Sequence, residues 1–348
     1  MSIITDATLG LVKDQIAARN ARLRDFAALY AQNTWQNVQL DVKTMTAAQL
    51  ATKYPIGTEM ICNYVKDGTT YQFPWYVLDN NRECEFEDGS KHPGLWLGAK
   101  YACIEDVQFD AKEDTTVDLT EEPNALEGWY YWGLTGTTYT ALNLSTGDAI
   151  PTTYDSVHKC GINHIDVLKN GYNRYSHSAQ RQWLNSAADA GEWWEAKHLG
   201  DLPPSQLSTL KGFMAGLDAD FLAVVHPVKV KTSCNTVTDV GVTDTTIDKF
   251  FLQSVEEVYG SPQIADIEGP YFPQWKVLTG LGSPSNNNND GRKCLRVSSP
   301  TGSAVTVRLR SASRGHSSNA WYVSTSGNLG SASYATNSYA ALPACVIA

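Results

Sequence analysis

The stretch Asn173-Arg174-Tyr175-Ser176-His177-Ser178-Ala179-Gln180-Arg181-Gln182-Trp183-Leu184-Asn185-Ser186 marks the point at which the chain changes character. Ser176-His177-Ser178-Ala179 leads into residues 180–188, where apolar Trp183 and Leu184 predict a helix with a serine cap, closed by Gly191. Downstream, Leu202-Pro203-Pro204-Ser205 opens a second predicted helix through Leu207, Leu210 and Phe213 to Gly216. Residues 221–225, 228–232 and 245–251 read as strands, the last continuing into Leu252. Residues 280–291, with four Asn from Asn286 to Asn289, read as an exposed loop, followed by strands at 293–298, 304–310 and 320–323. Upstream, 59–64, 71–78 and 95–102 have strand composition. Lys66-Asp67-Gly68 and Glu87-Asp88-Gly89 supply turns between them, and 115–153 adds short strands with Thr/Gly turns.

At the head of the chain, residues 5–33 predict a helix. Leu9, Val12, Ile16, Leu23, Phe26 and Tyr30 recur at steps of three and four, with Arg19 breaking the stripe. This pattern suits either an oligomerising coiled coil or one helix packed on its own domain.

The 348 residues suffice for two domains or one large one, and 42% hydrophobic with 10% aromatic content excludes disorder. No apolar run is long enough to span a bilayer, and MSIITDATLG lacks the basic-then-apolar order of a signal peptide. The net charge of −10 is divided unevenly. After Asp290 there is no Asp or Glu, so the last 58 residues, with Arg292, Lys293, Arg296, Arg308, Arg310 and Arg314, carry +6, and the first 290 carry −16. The basic residues are scattered without a Lys/Arg run, which argues against nucleic-acid binding. Seven cysteines (Cys62, Cys84, Cys103, Cys160, Cys234, Cys294 and Cys345) form no CxxC, and seven histidines form no HxxxH. They read as free thiols from a reducing compartment rather than a disulfide framework, with no metal ligand set and no cofactor.

The sequence also lacks GxSxG, GxxxxGK[ST], HExxH and a GxGxxG before a helix. Adjacent acids such as Glu121-Glu122 and Glu256-Glu257 are expected in a chain with 37 of them, so no catalytic dyad is read from them. Glu122-Pro123-Asn124 spells a tripeptide that sugar-binding C-type lectins use with calcium, but the Trp-Asn-Asp that accompanies it there is missing.

The 173–186 stretch resembles a signature in tail proteins of phages and prophages. So do Gly212-Phe213-Met214-Ala215-Gly216-Leu217-Asp218-Ala219-Asp220-Phe221-Leu222 and Asp248-Lys249-Phe250-Phe251-Leu252-Gln253-Ser254-Val255-Glu256-Glu257-Val258-Tyr259-Gly260. These domains are similar to the C-type lectin fold in its formylglycine-generating-enzyme-like form, and the resemblance covers roughly 50–348. The end of the chain resembles the variable proteins of diversity-generating retroelements: Leu309-Arg310-Ser311-Ala312-Ser313, Ala320-Trp321-Tyr322-Val323, Ser326-Gly327-Asn328, and Ala335-Thr336-Asn337-Ser338-Tyr339 leading to Leu342-Pro343-Ala344. In that family a reverse transcriptase randomises adenines, mostly in AAC codons, leaving NNC codons that cannot encode Lys, Glu, Gln, Met or Trp. From Ser313 to Tyr339 there is no Lys, Glu, Gln or Met, and the one Trp, Trp321, stands at a framework position. Ala340-Ala341-Leu342 departs from the Gly-Val-Arg of many relatives.

The resemblance implies an α+β chain with a C-type lectin-like fold and an N-terminal helix. Residues 1–46 would serve oligomerisation or virion attachment, and 47–348 would form the ligand-binding domain, with a variable region at about 311–341. Ser313, Gly315, His316, Ser317, Ser318, Asn319, Tyr322, Ser324, Thr325, Ser326, Gly330, Ser331, Ala332, Ser333, Tyr334 and Tyr339 would be the variable, ligand-facing positions. Trp321, Val323, Pro343 and Ala344 would be buried framework. The expected function is non-enzymatic: binding of a host cell-surface protein or glycan from a phage or viral tail, as a trimer attached to tail proteins, without nucleic acid or membrane insertion. The alternatives are a non-diversified lectin binding a fixed glycan, an enzyme related to formylglycine-generating enzymes, and a host surface-displayed variable protein.

Overall fold

The computed structural model describes residues 15, 34–114, 132–135, 138–141, 167, 170–197, 201–236, 239, 241–260, 267–279 and 290–348. The predicted helix at 5–33, the Glu122-Pro123-Asn124 tripeptide, Cys160 and the Asn-rich loop at 280–289 therefore lie outside the described residues, apart from Gln15.

The chain is α+β, with most of its order in two five-stranded sheets. The first sheet has the order β1 (Glu59–Lys66), β2 (Thr69–Asp79), β5 (Leu95–Ala99), β16 (Pro343–Ile347) and β11 (Phe251–Leu252), all antiparallel. The second runs β14 (Leu329–Tyr334), β13 (Asn319–Val323), β12 (Val307–Ala312), β15 (Ser338–Ala341) and β6 (Asp106–Gln108), with β12 and β15 parallel. β15 and β16 are separated by Leu342 alone, so the chain passes directly from one sheet to the other. Among the described residues, three two-stranded ribbons accompany the two sheets: β3 (Glu83–Glu85) with β4 (Lys91–Pro93), β7 (Trp132–Thr135) with β8 (Thr138–Ala141), and β9 (Val228–Ser233) with β10 (Thr243–Asp248).

The central strands of the first sheet, β5 and β16, are apolar throughout because both of their faces are covered. Every residue of β5 and β16 is buried, whereas β1, at a sheet edge, leaves Ile61 and Val65 exposed. At Gly98 of β5 a Cβ would lie 2.7 Å from the Leu78 side chain, so glycine is what admits that close approach. An aromatic cluster fastens the helices to the first sheet. Phe213 packs 5.4 Å from Trp183 and 5.3 Å from Phe250, and Trp75 lies 5.1 Å from Phe221. Trp183 is the apolar anchor of α3 (Ala179–Leu184), and its indole donates to Lys211 O at 2.9 Å. The Ser178 hydroxyl caps that helix by accepting from the Arg181 N–H. Trp35, in α1 (Thr34–Thr44), packs 4.4 Å from Phe221, and Leu50, in α2 (Ala47–Lys53), is also buried in the core. Residues 34–46, assigned from the sequence to the N-terminal element, are thus packed on the body.

Several local expectations are corrected. The segment read as a strand at 221–225 is helical, α4 (Ala219–Val224): Phe221 and Val224, three apart, both face the core. The helix expected at 180–188 stops at Leu184, where the Asn185 amide turns to donate to Phe250 O at 2.7 Å. The helix expected from Leu202 to Gly216 is a run of turns ending in one 3-10 turn, Phe213–Gly216. The 245–251 strand is broken at Lys249–Phe250, so that β10 and β11 belong to different sheets. The 293–298 strand is reduced to isolated bridges at Cys294 and Arg296. A helix the sequence reading missed, α5 (Val255–Tyr259), starts at a capping box in which Ser254 and Glu257 each bond the other's backbone N–H.

Glu257 also holds the two halves of the molecule together. Its carboxylate accepts from Arg310 of β12 at 2.5 Å and from Arg82 at 3.0 Å. Burial opposes its charge, but Arg310 and Arg82 more than offset it and hold the carboxyl below its usual range. Glu257→Gln leaves buried Arg310 and Arg82 without their shared carboxylate and is expected to cost about 3–5 kcal/mol, measured by urea unfolding.

Candidate binding face

The 313–339 segment is built from strands β13 and β14, the turn between them, and the loop that enters β13. The turn at 324–328 closes with Ser324 N–H to Asn328 O, Gly327 N–H to Ser324 O, and Asn328 N–H to the Ser324 hydroxyl. Gly327 has φ +79°, a conformation that suits glycine. The loop at 313–319 closes with Ser313 N–H to Asn319 O at 2.8 Å.

Residues outside the segment grip it by its backbone. The Asn173 side-chain amide donates to His316 O at 2.6 Å, Asn319 O at 2.7 Å and Ser313 O at 3.4 Å. Its own backbone N–H donates to Ser317 O, and its side-chain oxygen accepts from Asn235 at 2.9 Å. Arg308 of β12 does the same for the far side, donating to Ala320 O, Ser333 O, Tyr334 O and Asn337 O. Its guanidinium lies 4.6 Å from the Tyr339 ring and 5.8 Å from the Phe109 ring. Burial lowers the Arg308 pKa to about 10, with Tyr339 and Tyr322 partly compensating, so the group stays a cation at neutral pH.

The structure divides the sixteen residues proposed from the sequence. Gly315, His316, Thr325, Ser326 and Tyr334 are exposed, the last by 46%, and Tyr322, Ser324, Gly330 and Tyr339 are half-buried. Ser313, Ser317, Ser318, Asn319 and Ser333 are corrected: all five are buried and do not present side chains to solvent. The loop folds its backbone onto Asn173 and draws Ser313 and 317–319 inward. Ser333 points under the sheet, where its hydroxyl contacts Arg308, Asn337 and the Tyr339 hydroxyl. The backbones of Ser331 and Ala332 belong to β14. Tyr322 and Tyr339 pack with ring centroids 5.6 Å apart. A Cβ on Gly330 would lie 2.3 Å from the Tyr322 ring, so a side chain at 330 requires that tyrosine to shift. Among the framework residues, Val323, Pro343 and Ala344 are buried, and Trp321 is half-buried against the core. Asn328 and Asn337, not proposed from the sequence, are exposed.

The basic excess of the C-terminal region is largely internal. Arg292, Arg308 and Arg310 are buried, Arg296 pairs with Asp106 at 2.6 Å, and Arg314 donates to Cys234 O. The six described cysteines are free and buried. Burial pushes the Cys62 and Cys294 thiols up to about 12 and Cys84 up to about 11, so none of these three is a thiolate at neutral pH. Among the described residues no helix is long and apolar enough to cross a membrane.

Residues 161–348 match DUF6273, a domain of unknown function, and the chain belongs to that family. No curated protein and no solved structure matches it.

Two outcomes are expected. Asn173→Ala strips several buried carbonyls of a donor, so it should lower stability by about 1–3 kcal/mol and speed amide exchange selectively in 313–319. His177, in the same stretch, has its pKa lowered from 6.5 to about 4 by burial and then by Arg174. A depressed folded pKa in a histidine means that the unfolded chain binds the proton more readily. The neutral ring therefore contributes stability above pH 6.5 that is lost as pH falls towards 4. In His177→Gln the slope of the melting temperature against pH should flatten in that window.

Proposed function

We propose that this protein is a receptor-binding protein whose C-terminal face is diversified by a retroelement and displayed on a phage or viral tail. We take its two sheets and capping helices to be a C-type-lectin-like scaffold of the formylglycine-generating-enzyme type. One observation carries the reading. The exposed residues described in 313–339, Gly315, His316, Thr325, Ser326, Asn328, Tyr334 and Asn337, are all of types encodable by NNC. The contacts that shape the segment come largely from Asn173 and Arg308, outside it. Such a face has the composition of an antibody paratope, in which Tyr gives rigid amphipathic area and small polar residues adapt their hydrogen bonds. The partner is a host cell-surface protein or glycan. Mounting as a trimer on tail proteins would raise weak single-site binding by roughly 10²–10⁴ through avidity.

The DNA beside the gene tests this. A reverse-transcriptase gene and a template copy of the C-terminal coding segment are expected, with adenine-dependent differences. Those differences should fall on codons for His316, Thr325, Ser326 and Tyr334 and spare the buried Ser317, Ser318 and Ser333. Absence of a template copy would reduce the protein to a tail lectin with a fixed target. In the protein itself, Tyr334→Ala should weaken adsorption to host cells about tenfold or more while shifting stability by no more than about 0.5 kcal/mol.

A further inference from the structure

Three carboxylates from two separate segments converge behind the binding face. Asp110 and Glu113 follow β6, and Asp201 follows the 171–197 region. One oxygen from each lies within 4.8 Å of the other two. The three residues are only 1%, 2% and 8% exposed. Asp110 Oδ2 accepts from the Tyr172 N–H at 2.9 Å, and Asp201 Oδ2 accepts from the Lys197 N–H at 2.8 Å. The remaining oxygen of each, Oδ1, is buried without a hydrogen-bond partner.

Three buried carboxylates at this spacing cannot all stay charged unless something positive joins them. Burial and then mutual repulsion push Asp110 and Glu113 well above their usual range, and burial raises Asp201 to about 6. A shared proton can bridge one pair of oxygens, whereas a cation can satisfy three at once. The donor set selects the ion. It is all oxygen, with no His or Cys, which disfavours zinc. Calcium takes oxygen ligands at about 2.3–2.6 Å in flexible geometry, so three oxygens within 4.8 Å of one another fit in its shell. Magnesium demands near-ideal octahedral geometry and usually keeps several waters, which suits a site this buried less well.

We propose that Asp110, Glu113 and Asp201 form a calcium site that fastens the floor of the binding face. The Asp110 N–H donates to Ala335 O at 3.1 Å, and the Thr336 N–H donates to Asn170 O at 3.0 Å, so the C-terminal end of the 313–339 segment rests directly on this cluster. Gly171 permits the close packing: its φ is +78°, and a Cβ there would lie 2.8 Å from Ala111 O and 2.9 Å from Asp110 O. The role is structural and does not depend on the face being diversified or on what it binds.

The test uses the full chain, stripped with EDTA and titrated with calcium chloride. Calcium at 1 mM should raise the melting temperature by about 3 °C or more, and terbium should bind with sensitised emission that calcium displaces. Asp110→Asn and Glu113→Gln, nearly isosteric, should each weaken calcium binding at least tenfold and lose most of the thermal shift. If either variant fails to fold, terbium displacement in the unaltered chain still decides. The proposal is overturned if calcium neither shifts melting nor displaces terbium. It is also overturned if magnesium acts equally at the same concentration, or if Asp110→Asn keeps the full response.

Discussion

The buried ion pair between Arg310 and Glu257 is the constraint on which the two-sheet body turns. Arg310 projects from β12 and places four donors on four different pieces of chain: Lys231 O in β9, Leu252 O in β11, Glu268 O, and the Glu257 carboxylate in α5. Glu257 answers with one oxygen for Arg310 and the Ser254 N–H and the other for Arg82, whose guanidinium is sandwiched against Trp96 and Phe272 at 4.2 and 4.6 Å. Desolvating these charges is expensive, and an isolated pair would barely break even. Here nearly every donor and acceptor is used, and neighbouring Glu268 is held by Ser233 and Ser311. What the network contributes is less net stability than specificity: β12 fits against β11 and α5 in one register.

This explains what could and could not be read from the sequence. Strands 71–78 and 228–232 were legible because their apolar and aromatic content matches their burial, and 59–64 was legible from its composition although Ile61 is exposed. The serine cap of α3 was legible because it is a local hydrogen bond. Arg308-Leu309-Arg310 was not, since alternation of charge and Leu reads as a strand with one wet face. In the structure every residue of β12 is buried, and both arginines end inside. The capping box Ser254-x-x-Glu257 is written in the sequence but follows Phe250-Phe251-Leu252, whose strand signal dominates. The C-terminal excess of positive charge looked like a surface property, yet most of it serves internal hydrogen bonds.

The candidate face was legible in composition and not in orientation. Serine is equally at home in a turn, where Ser324 closes 324–328, and in an interior, where Ser333 meets Arg308 and Tyr339. Nothing in the residue type distinguishes the two. The distinction comes from partners far away in sequence: Asn173 lies 140 to 146 positions from the carbonyls it binds in the 313–319 loop.

That mode of attachment bears on whether such a face can vary at all. Asn173 and Arg308 grip it largely through backbone carbonyls, and a carbonyl is supplied by any amino acid. Exchanging the side chain at 316 or 334 therefore leaves the supporting hydrogen bonds to His316 O and Tyr334 O in place. The limits fall where a side chain or an N–H is itself used. Ser333 offers its hydroxyl to the arginine, Gly330 yields space to Tyr322, and His316 N–H closes a turn on Ser313 O that proline would break. A fixed framework that holds backbone and ignores side chains is the physical condition for a surface whose chemistry can change while its shape is retained.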